Sequence, residues 1–206
     1  MYRYQIIYCI LQFSKDFLGI NYYTSELVYP LNEGFDDVSY YKDDDAELYQ
    51  DPTWFTSGSP WLTVTPWGLR SIMSWIKSHY PGVDVYITEN GVSDKVNFKI
   101  NFQFSILLTS FLFQLGNLDD LQRIYYYKHY TNELLKAIKL DGVPVRGYYA
   151  WSLLDNFEWS DGYSEKFGLT RVDFNDPSRK RTPKKSFNYF KKLIQQNGFS
   201  ETDSPC

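Results

Sequence analysis

The alternation of apolar strand segments with helical segments constrains the fold of this chain more than any other feature. Three short segments rich in β-branched and aromatic residues are typical of buried strands, at 16–21, 83–88 and 145–152. A longer segment with helical periodicity follows each of them, at 65–80, 119–140 and 182–196. Because repeated strand–helix units build parallel sheets, the sequence predicts an α/β fold.

The apolar positions of the helical segments predict which side of each helix is buried. Thr65 with Pro66, and Thr182 with Pro183, are typical of helix starts. The predicted buried positions are Leu69, Ile72, Met73 and Ile76, then Leu121, Ile124, Tyr125, Leu134, Leu135 and Ile138, and finally Phe187, Phe190, Leu193 and Ile194. Residues 25–64 are predicted to be a long loop. Its aromatic residues favour an ordered lid or binding loop and include Trp54, Phe55 and Trp61.

Polar or acidic side chains occur where each predicted strand ends. They are Asn21 and Tyr23, then Glu89 and Asn90, and then Trp151, Glu158 and Trp159. The carboxyl ends of parallel strands meet at one edge, so these side chains are expected to lie together. Glu89, between an apolar strand and Gly91, is costly to bury unless it is paired or reactive. Taken alone, Glu89 fits an exposed turn residue better than a functional one, and the other two strand ends reverse this in favour of the functional interpretation.

The composition excludes several classes of function. The net charge of −4 argues against a nucleic-acid surface, which needs clustered Lys and Arg. Cys9 and Cys206 form neither a disulfide framework nor a metal motif, and with two histidines no zinc site or other cofactor site is expected. The 19% of aromatic residues suits a carbohydrate site or a packed barrel. No convincing signal peptide or glycosylation sequon is present, which leaves a cytosolic or a secreted location open.

Four segments carry a specific resemblance. ITENG (87–91), NYYTS (21–25), TPWGLR (65–70) and WSLLDNFEWSDGYSEKFGL (151–169) resemble signature segments of the family 1 glycoside hydrolases. These are the retaining β-glucosidases, with lactase-like, cytosolic β-glucosidase and myrosinase-like members. The resemblance implies that residues 13–199 are the C-terminal part of a TIM (β/α)8 barrel. About three βα units, containing strands six to eight, are then expected.

The resemblance also implies roles for individual residues. Glu89 would be the nucleophile that forms a glycosyl-enzyme intermediate, and Tyr23 would keep it ionised and oriented by a hydrogen bond. Asn21 would face the same site. The implied substrate is a small β-glycoside, with no nucleic-acid partner and no expected membrane partner.

Four further residues are expected to bind the sugar. Glu158 would hold two hydroxyls bidentately, and Trp159 would donate its indole N–H to a third. Trp151 would form the stacking floor, and Phe167 would lie beside the far edge of the sugar. Packing of the two tryptophans in a barrel core is the alternative, and it would leave Glu158 buried and unpaired.

The sequence departs from the family pattern in one essential respect. Retaining glycosidases need two carboxyls about 5–5.5 Å apart, one of which transfers the proton. The family's acid/base glutamate lies in an Asn-Glu-Pro segment, which does not occur in this sequence, and Glu158 does not have that role in the family. The chain alone is therefore expected to be inactive. Its sheet is expected to have an open edge, which favours aggregation or pairing with another chain.

Two segments do not resemble the family. Residues 96–114 interrupt the pattern, and removing them joins ENGVSDK directly to LGNLDDLQRIYYY. Val96 can supply the initial GT of an intron and Gln114 its final CAG, so the preferred hypothesis is a retained intron, with the same origin for 1–12. The apolar core of 96–114 is short and Lys99 is close to it, which argues against a membrane span. A membrane-associated helix remains an alternative.

Three alternatives to a β-glucosidase stay open. A non-catalytic sugar-binding or regulatory relative would lack a catalytic glutamate, and a thioglucosidase of the myrosinase type would have Asn-Gln-Pro upstream. A membrane-tethered fragment is the third. The sequence leaves the glycone, the aglycone and the oligomeric state undetermined.

Overall fold

The computed structural model of the chain describes residues 15–30, 46–95 and 118–199. The elements, in chain order, are β1 (Phe17–Asn21), β2 (Leu27–Pro30), β3 (Ala46–Tyr49), α1 (Pro66–His79), β4 (Asp84–Asn90), β5 (Asp94–Lys95), α2 (Leu121–Lys139), β6 (Val145–Ala150), a 3-10 turn (Trp159–Asp161), β7 (Glu165–Lys166), β8 (Thr170–Val172), β9 (Arg181–Pro183) and α3 (Lys185–Gln196). The segments 1–12 and 96–114 lie outside the described residues.

A parallel sheet of three strands, in the order β1–β4–β6, forms the centre of the fold. The central strand buries Val85 and Ile87 completely on the face that the helices cover. Leu69 and Met73 of α1 are equally buried and belong to the same core. Each such aliphatic side chain contributes about 1.5–3 kcal/mol by its burial. The predicted parallel α/β arrangement is confirmed.

The opposite face of the sheet and both of its edges are uncovered in the part of the chain that the structure describes. Phe17 of β1 is 54% exposed and Tyr149 of β6 is 57% exposed. The ring of Phe17 contacts the edge of Tyr86 in the central strand, with centroids 5.1 Å apart. Within the described residues, β1 and β6 each pair only with β4. Both edges of this sheet are thus unpaired within residues 15–30, 46–95 and 118–199, and the open edge of the whole chain stays a prediction.

The first helix agrees with its prediction, except at its cap and at Ile72, which is only partly buried. It begins at Pro66 and buries Leu69, Met73 and Ile76. The hydroxyl of Thr65 makes no hydrogen bond to the helix and instead accepts one from the Ser25 N–H at 2.8 Å. Thr65 therefore ties the chain after β1 to the start of α1.

The predicted buried face of α2 is confirmed at Leu134 and wrong at its other five positions. Tyr125 is 40% exposed, and Leu121, Ile124, Leu135 and Ile138 are only partly buried. Besides Leu134, the buried residues are Arg123, Tyr126, Tyr127, Tyr130, Thr131 and Ala137. Aliphatic periodicity misses this face because its tyrosines and its arginine are buried through hydrogen bonds to the interior.

Three other predictions also need correction. Thr182 and Pro183 belong to β9, which pairs with β8, so α3 begins at Lys185 rather than at Thr182. Ile194 is 64% exposed and does not extend the buried stripe of α3. The predicted loop 25–64 contains an antiparallel hairpin, β2 with β3, whose exposed strands lack the apolar alternation of a half-buried strand.

Candidate active site

The ends of β1, β4 and β6 converge on one pocket of about 440 Å³. Asn21, the last residue of β1, lies opposite Glu89 in the sheet register. All seven residues that the sequence predicts for the site line this pocket, namely Asn21, Tyr23, Glu89, Trp151, Glu158, Trp159 and Phe167. The parallel sheet thus brings together residues up to 146 positions apart in the chain, from Asn21 to Phe167.

The nucleophile candidate is held by a short hydrogen bond. The Tyr23 hydroxyl donates to Oε2 of Glu89 at 2.6 Å. The ring of Tyr23 meets Trp61 and Phe167 edge to face, with centroids 5.7 and 6.2 Å away. Burial, together with the adjacent Glu89 carboxylate, raises the pKa of Tyr23 far above its ordinary value. Tyr23 is therefore a protonated hydrogen-bond donor at neutral pH.

Glu158 is buried against the indole of Trp151. Trp151 Nε1 donates to both carboxylate oxygens of Glu158, at 3.3 and 3.4 Å. Burial raises the pKa of Glu158 above its ordinary value, and the hydrogen bonds from Trp151 and Asn156 oppose this only in part. The Glu158 carboxylate lines the pocket and is held there by the Trp151 indole.

Trp159 does not pack in the core. Its side chain is 81% exposed, so core packing is excluded for this residue. Its backbone has φ of 50°, in the left-handed region that non-glycine residues rarely adopt, and such residues cluster at functional sites. The Glu158 N–H donates to the Gly162 carbonyl at 2.7 Å and closes the turn around Trp159. The turn holds Trp159 at the mouth of the pocket.

The family model described as "Glycosyl hydrolase family 1" matches residues 7–199. The chain belongs to glycosyl hydrolase family 1. It is 40% identical over 186 residues to lactase/phlorizin hydrolase of Homo sapiens, which covers 90% of this chain and 9% of that protein. It is 37% identical to the cytosolic beta-glucosidase of Homo sapiens over 90% of this chain and 35% of that protein. The chain thus spans about a third or less of these relatives.

Solved structures of family members are similar to the fold. A rice β-glucosidase in a covalent complex with glucose matches with a TM-score of 0.73 and 38% identity, over 86% of this chain and 36% of that chain. Aphid myrosinase matches with a TM-score of 0.71 and 36% identity, over 87% and 34%. Glycosyl hydrolase family 1 has a TIM-barrel fold, and this chain is a partial α/β portion of it.

Five pocket residues were not predicted, and they are Ser59, Trp61, Ser160, Asp161 and Glu165. Ser59 Oγ donates to Glu165 Oε2 at 3.1 Å and lies 2.6 Å from Ser93 Oγ. These contacts attach the segment before α1 to the end of β4 and to β7. Trp61 is one of the aromatic residues that favour a binding loop, and this was the available signal for it.

No metal site accompanies the pocket in the ranges 15–30, 46–95 and 118–199. These residues contain no group of three or more His, Cys, Asp or Glu side chains that could hold a metal ion. Across the same residues, every helix is too short or too polar to cross a membrane.

A buried network of charges supports the pocket from behind. Arg123 is fully buried and pairs with Asp94 and Asp120. Its guanidinium also donates to the Lys166 carbonyl at 2.7 Å. Phe167, which lines the pocket, is the next residue after Lys166, and Asp94 lies just after β4. The network therefore fixes this wall of the pocket relative to the segment that follows β4.

We expect the substitution Arg123→Met to lower the free energy of unfolding by about 3–5 kcal/mol, because Asp94 and Asp120 would remain buried without their partner. Urea unfolding followed by circular dichroism measures the change. The control is Arg146→Met, which removes the exposed pair with Asp84 and should cost less than about 1 kcal/mol. Equal losses in the two variants would contradict a structural role for the buried network.

Proposed function

We propose that this chain supplies the nucleophile and the sugar-binding wall of a retaining β-glucosidase. The hydrogen bond from the Tyr23 hydroxyl to Glu89, at 2.6 Å within the pocket, is the observation that carries the proposal. The similarity to a cytosolic β-glucosidase and to lactase/phlorizin hydrolase supports a β-glycoside as the substrate class.

The proposed reaction is a double displacement. A carboxylate oxygen of Glu89 attacks the anomeric carbon, and the aglycone oxygen leaves with the bonding electron pair and takes a proton from a general acid. A covalent glycosyl ester of Glu89 results. Water then attacks the same carbon, gives its proton to the group that acted as acid, and releases the Glu89 carboxylate. The sugar therefore keeps its β configuration.

The remaining pocket residues bind the sugar in this proposal. Glu158 accepts hydrogen bonds from two hydroxyls, while Trp151 holds its carboxylate in place. The exposed indole N–H of Trp159 donates to a third hydroxyl. Trp151 also stacks on the apolar face of the ring, and Phe167 lies beside its far edge. Asn21, whose amide oxygen accepts from the Thr88 hydroxyl at 2.6 Å, is oriented at the same strand end.

The proton shuttle lies outside this sequence in the proposal. Residues 13–199 correspond to strands six to eight of the barrel, and an Asn-Glu-Pro glutamate on a preceding βα unit would be the acid/base. This chain alone is therefore expected to be inactive. Segments 1–12 and 96–114 are proposed to be intron-derived. Mature transcripts that skip codons 96–114 would support that origin, and uninterrupted coverage would contradict it.

The test of this function uses the full-length polypeptide encoded by the complete transcript. It determines which anomer of glucose this enzyme releases first. With 4-nitrophenyl β-glucoside, proton NMR is expected to show β-glucose first and its α anomer only later, by mutarotation. Release of α-glucose first would contradict the double displacement. Absence of hydrolysis would contradict the enzymatic function itself.

A non-catalytic sugar-binding relative is the second candidate. Some members of the family have lost a catalytic glutamate, and the sequence upstream of this chain would decide between the two candidates. In the upstream Asn-Glu-Pro segment, glutamine in place of the glutamate would indicate a thioglucosidase. Any other residue there would indicate a pseudoenzyme. Binding of glucose without turnover of the aryl glucoside would identify the sugar-binding relative.

A further inference from the structure

The backbone carbonyl of Tyr23 receives two hydrogen bonds from a single helix. Tyr126 and Tyr130 lie one turn apart on α2, and each hydroxyl lies 3.0 Å from this oxygen. Both side chains are fully buried, and their rings stack with centroids 3.9 Å apart. A carbonyl oxygen has two lone pairs, so both of its acceptor positions are used. The peptide that carries Tyr23 is therefore held from the helix side.

The proton positions in this contact follow from the other partners of the two tyrosines. The Tyr130 hydroxyl accepts from the Thr65 N–H at 2.8 Å, so its own proton is available for the Tyr23 carbonyl. The Tyr126 hydroxyl accepts from Asn90 Nδ2 at 2.9 Å, and its own proton is shared between the same carbonyl and the neighbouring Tyr130 hydroxyl. Tyr130 therefore donates to the Tyr23 carbonyl, and Tyr126 supports it both directly and through Tyr130.

The same network reaches the strand that carries Glu89. The Tyr22 N–H donates to the Glu89 carbonyl at 2.9 Å, and Asn90 Nδ2 donates to the Tyr22 carbonyl at 2.6 Å. The Tyr148 hydroxyl donates to Asn90 Oδ1 at 2.5 Å. Asn90 is fully buried, so the two bonds that its side chain makes here are largely shielded from water. Peptides 22–23 and 89–90 thus form one hydrogen-bonded unit.

Neither Tyr126 nor Tyr130 lines the pocket, and the proposed reaction does not use them directly. Tyr23 itself lies in residues 22–26, which belong to no helix or strand, so no sheet ladder holds it. We propose that Tyr126 and Tyr130 are positioning residues, which hold the Tyr23 carbonyl and through it keep the Tyr23 hydroxyl on Glu89. This inference rests on the proposed function, because it assigns Glu89 the role of nucleophile.

The test is a double-mutant cycle in the full-length polypeptide. Tyr126→Phe with Tyr130→Phe removes both donors and keeps both rings. We expect kcat for an aryl β-glucoside to fall roughly tenfold to a hundredfold, with KM little changed, because small displacements of a catalytic contact are costly. In a Tyr23→Phe background the same pair of substitutions should change kcat less than about twofold, since coupled residues are not additive. Tyr125→Phe, on the exposed side of the same helix, is the matched control.

Two results would overturn the inference. One is an unchanged kcat in the Tyr126→Phe, Tyr130→Phe variant, and the other is an equal loss in the wild-type and Tyr23→Phe backgrounds, which would mean a general structural effect. If the doubly substituted protein does not fold, the same measurements are made on Tyr126→Phe and on Tyr130→Phe separately. An active Glu89→Gln enzyme would instead contradict the proposed function, so the two failures are distinguishable.

A second measurement needs no turnover. The Cζ carbon of Tyr23, labelled with ¹³C and assigned through Tyr23→Phe, reports whether its hydroxyl donates to the Glu89 carboxylate. In the Tyr126→Phe, Tyr130→Phe variant its NMR signal is expected to move toward its position in Glu89→Ala, which removes the acceptor. A signal that stays at the wild-type position would overturn the inference.

Discussion

Replacing Glu89 by Gln is expected to reduce kcat for 4-nitrophenyl β-glucoside by at least about 10⁴-fold in the full-length polypeptide. Glutamine has nearly the same shape, and its amide oxygen can still accept the hydrogen bond from Tyr23. A neutral amide oxygen is a poor nucleophile, however, and cannot form the glycosyl ester. The substitution therefore separates the chemistry of Glu89 from its packing. Steady-state kinetics measures the loss.

Two further variants make the result for Glu89 specific. Glu47→Gln, on the exposed strand β3, should leave kcat and KM at wild-type values. Glu89→Ala should be inactive with water but should turn over 2,4-dinitrophenyl β-glucoside when azide is added, because the anion fits the vacated space and attacks the anomeric carbon. The product would be the α-glucosyl azide. Full activity of Glu89→Gln would assign the nucleophile to another residue.

The order of strands and helices could be predicted from the sequence because its causes are local. The strand that carries Glu89 is rich in β-branched and aromatic residues before the carboxylate, and Pro66 marks the start of α1 at the predicted position. Features that depend on distant partners were missed. Thr182 joins β9 because β8 lies beside it, and the exposed hairpin of β2 with β3 has no apolar pattern of its own.

The buried tyrosines of α2 were also missed because their burial depends on hydrogen-bond partners far away in the sequence. Tyr126 and Tyr130 are buried because their hydroxyls find the Tyr23 carbonyl, more than a hundred residues earlier in the chain. An apolar pattern does not record such a partner, and it favours Tyr125, which is exposed. A buried hydroxyl without a partner is unfavourable, so only the tertiary structure decides which tyrosines can enter the core.

The pocket residues also fall into those that the sequence predicts and those that it does not. Its seven predicted residues lie at or after strand ends, where a parallel sheet places its functional groups. Ser59 and Glu165 reach the pocket through a hydrogen bond between two connecting segments. Because that contact joins residues 106 positions apart, no local spacing predicts it.

Glu158→Gln is expected to lower kcat/KM for an aryl β-glucoside by roughly two to four orders of magnitude. In the proposed function Glu158 accepts hydrogen bonds from two sugar hydroxyls, and hydrogen bonds to a charged group are worth about 1.5–3 kcal/mol each. Glutamine keeps one acceptor oxygen, which Trp151 Nε1 can still approach, but it removes the charge. The loss should appear mainly in kcat if these bonds strengthen as the transition state forms.

The pH dependence of this effect has a definite sign. Burial raises the pKa of Glu158, so its carboxylate becomes protonated at a higher pH than that of an ordinary glutamate as the solution is acidified. The wild-type enzyme should therefore lose sugar affinity on acidification through that range, measured as the Ki of glucose, while Glu158→Gln should show no such loss. Glu165→Gln is the matched control, because this buried glutamate binds Ser59 and has no proposed sugar contact. Equal effects of the two substitutions would mean that the total charge of the pocket, rather than the position of Glu158, binds the sugar.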